Sequence, residues 1–358
     1  MSTRKLLLGL AAGVVALAAP AASDAKTKAV FMGIPPSAAK QFNDQAVDVN
    51  DFFPHGITVH VGDSVAFAPV GFHTADFVPK GGGPVDLLTP TGQKVAGDND
   101  AAGQPFWFNG QDALGFNPLV LPSKYGKSVT YNGTKRVESG LPLGNKLKPM
   151  KVKFTKKGSF TYYCDIHPGM KGTVKVVGKK SKAPSVKADV KVIKNQLKAD
   201  LVIAKALPKK TPPANTVNVG AAGPKGVEYY GFLPGTINVH VGDTVSFRMT
   251  KGSFEDHTAS TGPGDPNADP NSYLGQLAGS FQGPQPAPAA LYPSDPPGSD
   301  AATLTPTLHG NGFWNSGALD TAPATPLPGS NSVTFGAAGT YQFYCLIHPF
   351  MHGTVNVQ

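Results

Sequence analysis

Two short segments of this 358-residue chain carry a thiol, an imidazole and a thioether at one spacing. Cys164-Asp-Ile-His167-Pro-Gly-Met170 and Cys345-Leu-Ile-His348-Pro-Phe-Met351 both read Cys-x2-His-x2-Met. Each is preceded, well upstream, by a further histidine: His73 in Gly-Phe-His-Thr-Ala and His257 in Glu-Asp-His-Thr-Ala. A thiolate, two neutral imidazoles and a thioether suit a metal of intermediate-to-soft character. Trigonal His2Cys with a weak axial Met is a donor set for copper that exchanges single electrons. The short loop converges three ligands from one segment, and the upstream histidine ties them to a second one.

Blander readings of each residue fail on recurrence. A lone buried cysteine is ordinary packing, but here the four-residue set occurs twice. With only two cysteines, an oxidising compartment suggests a Cys164–Cys345 disulfide. That bond would have to join equivalent inward-facing positions of two repeats. A single thiolate with a thioether is also an unusual zinc set. His60 and His240 recur too, but their strand parity opposes Ile57/Val59 and Ile237/Val239, which turns them to solvent. His352 stands opposite Lys171 in the repeat, and His55 and His309 have no counterpart.

The elements that position these residues come from a duplicated unit. Phe53-Pro-His-Gly-Ile-Thr-Val-His-Val-Gly-Asp-Ser-Val-Ala-Phe67 aligns without gaps to Leu233-Pro-Gly-Thr-Ile-Asn-Val-His-Val-Gly-Asp-Thr-Val-Ser-Phe247. Period-two alternation at Ile57, Val59 and Val61, a Gly62-Asp63 turn, and renewed alternation at Val65 and Phe67 predict a hairpin. Phe160, Tyr162 and Cys164 share one parity, as do Tyr341, Phe343 and Cys345, so each cysteine faces the core beside two rings. Gly172–Val176 and Gly353–Val357 read as closing strands. The fold class is therefore all-β: two tandem Greek-key β-sandwich domains with long loop insertions, joined by a Lys-rich segment. The boundaries read as 1–25 export signal, 26–178 first domain, 179–214 linker and 215–358 second domain.

The linker reads equally as a disordered tether and as an amphipathic helix over Ala188–Leu207, with Ile193, Leu197, Leu201 and Ala204 on one face. Gly/Pro/Asp-rich stretches, 80–104 and 262–307, read as excursions over the sandwich surface. Asp98, Asp100, Asp265 and Asp269 lack a full calcium-ligand spacing. Trp107 and Trp314 read as core or loop anchors, and Thr74 and Thr258 as supports that hydrogen-bond across to the ligand loops. Arg4 and Lys5 before the apolar run Leu6–Ala19, followed by small residues, read as an export signal. They predict a secreted, periplasmic or cell-envelope protein with no membrane span once the signal is removed. Positive charge is concentrated in the first repeat and the linker, while residues 211–358 hold three Lys/Arg against nine Asp/Glu. This polarity is not a uniform cationic surface for nucleic acid.

The ligand segments and their upstream histidines resemble those of the cupredoxin (type 1 blue copper) family, in a tandem two-domain form with amicyanin- and plastocyanin-like loops. The resemblance covers both halves of the chain. It implies two type 1 copper sites: His73, Cys164, His167, Met170, and His257, Cys345, His348, Met351. It also implies one-electron transfer by Cu(I)/Cu(II) cycling with redox partner proteins. On this pattern His167 and His348 lie near the surface as electron exits, rimmed by Ile166, Pro168, Leu346, Ile347, Pro349 and Phe350. Copper storage or delivery would use the same ligands. Two-domain copper oxidases and nitrite reductases add His-x-His pairs and a histidine beside the type 1 cysteine. This chain has no such pair, and Tyr163 and Tyr344 precede its cysteines, so the reading is a carrier and not an enzyme. The departure from the family is the distance from upstream histidine to cysteine, 91 and 88 residues, longer than in a minimal cupredoxin.

Overall fold

The computed structural model describes residues 26–298, 300–322 and 327–358; the export signal expected over 1–25 lies outside them. The first repeat builds two five-stranded sheets. One runs Phe52–Phe53, Thr27–Met32, Ser64–Pro69, Met150–Phe154, Ser128–Tyr131; the other runs Val137–Glu138, Asp76–Phe77, Gly158–Tyr163, Lys171–Val177, Gly56–His60. Alternation turns Val30, Val65, Phe67 and Val152 of the first sheet toward Ile57, Val59, Phe77, Tyr162 and Val174 of the second, and these close one core. Cys164 and Met170 belong to that core.

The second repeat reproduces the plan. Thr216–Ala222 lies parallel to Thr244–Arg248, as Thr27–Met32 does to Ser64–Pro69. Thr236–Val239 lies parallel to His352–Val357, as Gly56–His60 does to Lys171–Val177. The peptide bonds Phe53–Pro54 and Leu233–Pro234 are both cis, at matched positions. The chain is two tandem Greek-key β-sandwiches, all-β in class.

The repeats are knitted together in three ways. Val47–Val49 of the first repeat pairs antiparallel with Val227–Leu233 of the second, Val49 opposite Val227, and adds a sixth strand to that sheet. This covers an edge that would otherwise present unpaired backbone groups. The Lys-rich linker is a helix, Val186–Ala204, whose Ser185 side chain accepts from the Ala188 N–H. Its stripe of Ile193, Leu197, Leu201 and Ala204 packs against Phe42, Val49 and Phe53 of the first repeat and Ala221, Val227 and Leu233 of the second.

The third connection corrects an expectation. The long excursions do not simply run over the surface; they interlock. Val95 of the first, with Phe106, Phe108 and Ala113 just beyond it, packs against Leu274, Leu277 and Ala290 of the second and Phe313 just beyond that. Phe108 stacks on Tyr292, and Trp107 Nε1 donates to the Pro293 carbonyl at 2.8 Å. Apolar residues scattered through a Gly/Pro-rich loop find too little of their own sandwich to cover them, and each loop supplies what the other lacks. Asp100 and Asp265 accept backbone N–H groups of their own turns, so these carboxylates shape the loops. Trp314 is core. Among the described residues no helix is long and apolar enough to cross a membrane.

Candidate metal centres

Gly158–Tyr163 ends at Cys164, and the chain turns back at once: Cys164 N–H donates to the Met170 carbonyl at 3.0 Å and Met170 N–H to the His167 carbonyl at 3.0 Å. This tight loop turns the Cys164 thiol and the His167 ring the same way. His73 arrives from the segment just before Asp76–Phe77, which pairs with Tyr162 and Tyr163. The Nδ1 atoms of His73 and His167 lie 2.9 Å apart, and Cys164 Sγ lies 3.4 Å from His167 Nδ1 and 4.0 Å from His73 Nδ1. All three residues, with Met170, are buried.

The second repeat copies this. Cys345 N–H donates to the Met351 carbonyl (3.1 Å) and Met351 N–H to the His348 carbonyl (2.8 Å). His257 and His348 Nδ1 lie 3.1 Å apart, with Cys345 Sγ at 3.7 and 3.8 Å from them. In each group the three donor atoms lie within 4.8 Å of one another. Ligands bound at about 2.0–2.3 Å around one ion would stand roughly 3.5–4 Å apart at trigonal angles; the sulfur–nitrogen separations, 3.4–4.0 Å, match this closely, and the paired nitrogens, at 2.9 and 3.1 Å, would part by about half an ångström to share one ion. The two cysteines are free and buried in separate cores, which removes the disulfide.

Supporting contacts match as well. Thr74 and Thr258 donate their N–H to Cys164 and Cys345 Sγ, each at 3.4 Å. Their hydroxyls accept from Asp165 N–H (2.9 Å) and Leu346 N–H (2.8 Å), pinning the ligand loop as expected. Gly33 and Gly220, which the sequence did not flag, lie against the upstream imidazoles. A Cβ would meet His73 Nε2 at 2.8 Å and His257 Nε2 at 2.7 Å.

No family model matches the chain, and no curated protein does. Solved structures are similar to part of it. The structural neighbours include amicyanin and auracyanin. Amicyanin from Paracoccus versutus is 18% identical over 41% of this chain and 85% of its own, with a TM-score of 0.22. Auracyanin A, a "blue" copper protein from the green thermophilic photosynthetic bacterium Chloroflexus aurantiacus, is 18% identical over 40% of this chain and 96% of its own, with a TM-score of 0.24. The donor geometry stands without them.

The structure departs from expectation at the outer edges of the histidines. His167 is buried, not surface-exposed, because the second repeat covers it. Phe254 packs over Gly169, and Glu255 Oε1 lies 2.9 Å from His167 Nε2. The same carboxylate places Oε2 3.7 Å from His348 Nε2. Tyr230 and Asn50 also donate to Oε1, at 2.5 and 3.0 Å. Leu346 of the expected rim is buried too, whereas Phe350 is 54% exposed. Glu255 escaped the sequence reading because it occurs in one copy only; its counterpart is Gly71.

Its position makes the metal-free centres electrostatically unequal. Burial opposes ionisation of Glu255, but His167, His348 and His257 hold it well below the usual carboxylate range. Glu255 and Cys164 in turn hold His167 well above its ordinary value against the cost of burial. Burial likewise opposes ionisation of Cys164, and the His167 and His73 imidazoles outweigh it. At the second centre, farther from the carboxylate, burial prevails. It lowers His257 to about 3 and pushes the Cys345 thiol up to about 11.

A carboxylate cluster, also unforeseen, lies behind the first centre. Asp76, Glu138 and Asp165 bring their oxygens within 4.8 Å of one another. Burial, then Asp165, raises Asp76 to about 7, and burial also raises Glu138 and Asp165. The second repeat has Ser260, Asn315 and Leu346 here, with Ser260 Oγ donating to Asn315 Oδ1 at 2.7 Å.

Proposed function

We propose that the chain is an exported type 1 copper protein. It holds one copper ion in each of its two domains (26–178 and 215–358, with 179–214 as linker) and carries single electrons. The observation behind this reading is the duplicated donor set: two Nδ1 atoms and one sulfur, buried apart from a half-buried His348, converging at equivalent places in two sandwiches. Copper bound there would supply a one-electron Cu(I)/Cu(II) couple. The chain's residues do the rest. His73, Cys164, His167 and Met170, and His257, Cys345, His348 and Met351, hold the ion. Thr74 and Thr258 fix the ligand loops, and the cores exclude water. With Tyr163 and Tyr344 before the cysteines, neither site has a histidine there to relay electrons to a catalytic copper, so the reading is a carrier and not an enzyme. An external redox protein would meet the second centre, where exposed Phe350 lies beside His348, ring centroids 6.0 Å apart. The apolar run after Arg4 and Lys5 supports a secreted or periplasmic location.

Reconstitution tests this. Metal-free protein should take up two equivalents of Cu(II), turn blue, and bleach and recover reversibly through reduction and reoxidation. Cys164→Ser and Cys345→Ser should each remove about half the blue absorbance, and the double substitution all of it. Release of copper on reduction would instead mark a storage or delivery protein.

A further inference from the structure

The geometry points to Glu255 as a coupling residue between the two metal centres, acting through the outward-facing nitrogens of His167 and His348, so that the charge at one centre sets the potential of the other. This rests on the copper reading above. Each imidazole turns Nδ1 to its own donor group, which leaves Nε2 on the outer edge. A carboxylate on that edge raises the basicity of a ligating imidazole and favours the more highly charged metal. Such a carboxylate ordinarily serves one metal. Here one residue faces two, at 2.9 Å and 3.7 Å, and it is buried, where charge interactions are weakly screened.

The carboxylate is held from both sides. Asn50 reaches it from the first repeat and Tyr230 from the second. Its loop is fixed one step back by Glu228, which accepts from Ser253 Oγ and Phe254 N–H, both at 2.5 Å. The equivalent position in the first repeat is Gly71, where a Cβ would stand 3.2 Å from the His73 ring. Among the described residues, one such carboxylate therefore serves two centres. Any added positive charge at one centre draws on the same anion that stabilises the other, and linkage requires the effect to be reciprocal.

Glu255→Gln, which keeps the shape and removes the charge, should raise the midpoint potentials of both centres, the first more than the second, with the blue bands retained. A shift at one centre alone, or at neither, overturns the coupling. A second arm leaves Glu255 in place. The potential of the second centre should be lower in Cys164→Ser than in the wild type, because the neighbouring metal charge is gone, and that of the first should fall likewise in Cys345→Ser. Unchanged potentials overturn the proposal. A third readout needs no metal: in nitrogen-15 spectra of metal-free protein, the Nε2 resonances of both His167 and His348 should move on Glu255→Gln. Movement of only one or neither overturns the bridge. Wild-type protein that never turns blue would refute the copper reading, while the metal-free spectra would still decide the bridge.

Discussion

Gly169 and Phe350 occupy the same place in two otherwise similar ligand loops, and the difference decides which centre faces outward. A Cβ at Gly169 would stand 2.4 Å from the Phe254 ring, and the residue has φ +112°, whereas Phe350 is 54% exposed. Gly169→Ala should therefore cost about 1–3 kcal/mol of stability, from strain and from displacing Phe254. Phe350→Ala should change stability by less than about 0.5 kcal/mol. Denaturant unfolding of the two variants beside the wild type checks the contrast, and equal losses would refute it. The two donor sets that the fold brings together were legible in the sequence because donor chemistry restricts residue type and the repeat singled out His73 and His257 among nine histidines. The burial of His167 was not. Spacing along a chain reports which neighbours a loop brings with it, not which face another repeat will cover. Glu255 was hidden for the same reason, since a carboxylate in a polar loop reads as solvated until its partners arrive from elsewhere.

The linker helix Val186–Ala204 shows the same division one scale up. Its apolar stripe was legible as periodicity, and Ile193, Leu197, Leu201 and Ala204 do face inward. That the packed face also takes in Asp200 was not. This carboxyl is 1% exposed, and neither oxygen has a hydrogen-bond partner among the described residues. Burial, then the nearby Asp51 carboxylate, raises it from 3.8 to about 7. A carboxyl whose pKa is higher in the folded than in the unfolded state keeps its proton on folding, so the folded state binds more protons between those values. Its ionisation thus erodes stability as pH rises from about 4 to about 7, and the loss is complete above that. Asp200→Asn should gain on the order of 2–4 kcal/mol at pH 8 and almost nothing at pH 4. Denaturant midpoints at the two pH values measure this, and a gain independent of pH would refute the assignment. The interlocked excursions were illegible as a packed layer because Phe106, Phe108 and Leu274 are apolar residues without period, and only a partner surface decides whether they are buried.

At the scale of the molecule, the duplicated sequence suggests two units on a string, and the contacts argue against it. Val47–Val49 belongs by sequence to the first repeat and by hydrogen bonding to a sheet of the second. One helix closes a cluster built from both, a second cluster joins the excursions, and His309 lies between Asp100 (3.2 Å) and Asp295 (3.5 Å), an ion-pair group that again spans the repeats. Unfolding the first repeat would strip the second of an edge strand, and unfolding either would leave residues such as Phe53, Val227 and Phe313 uncovered. Fully burying side chains of this kind is worth about 1.5–3 kcal/mol each, so a state with one repeat folded is penalised by many such losses. Tandem domains generally unfold in separate steps. Here the whole chain is expected to unfold in one calorimetric transition, with the calorimetric and van't Hoff enthalpies in agreement. Because the shared contacts are mainly apolar and hydrogen-bonded, raising the salt should leave that single transition intact even though the first repeat and linker are basic and the second repeat acidic. Two resolved transitions, or one that splits with salt, would mean that the repeats are held by their opposite charges and that the shared strand and clusters do not couple them.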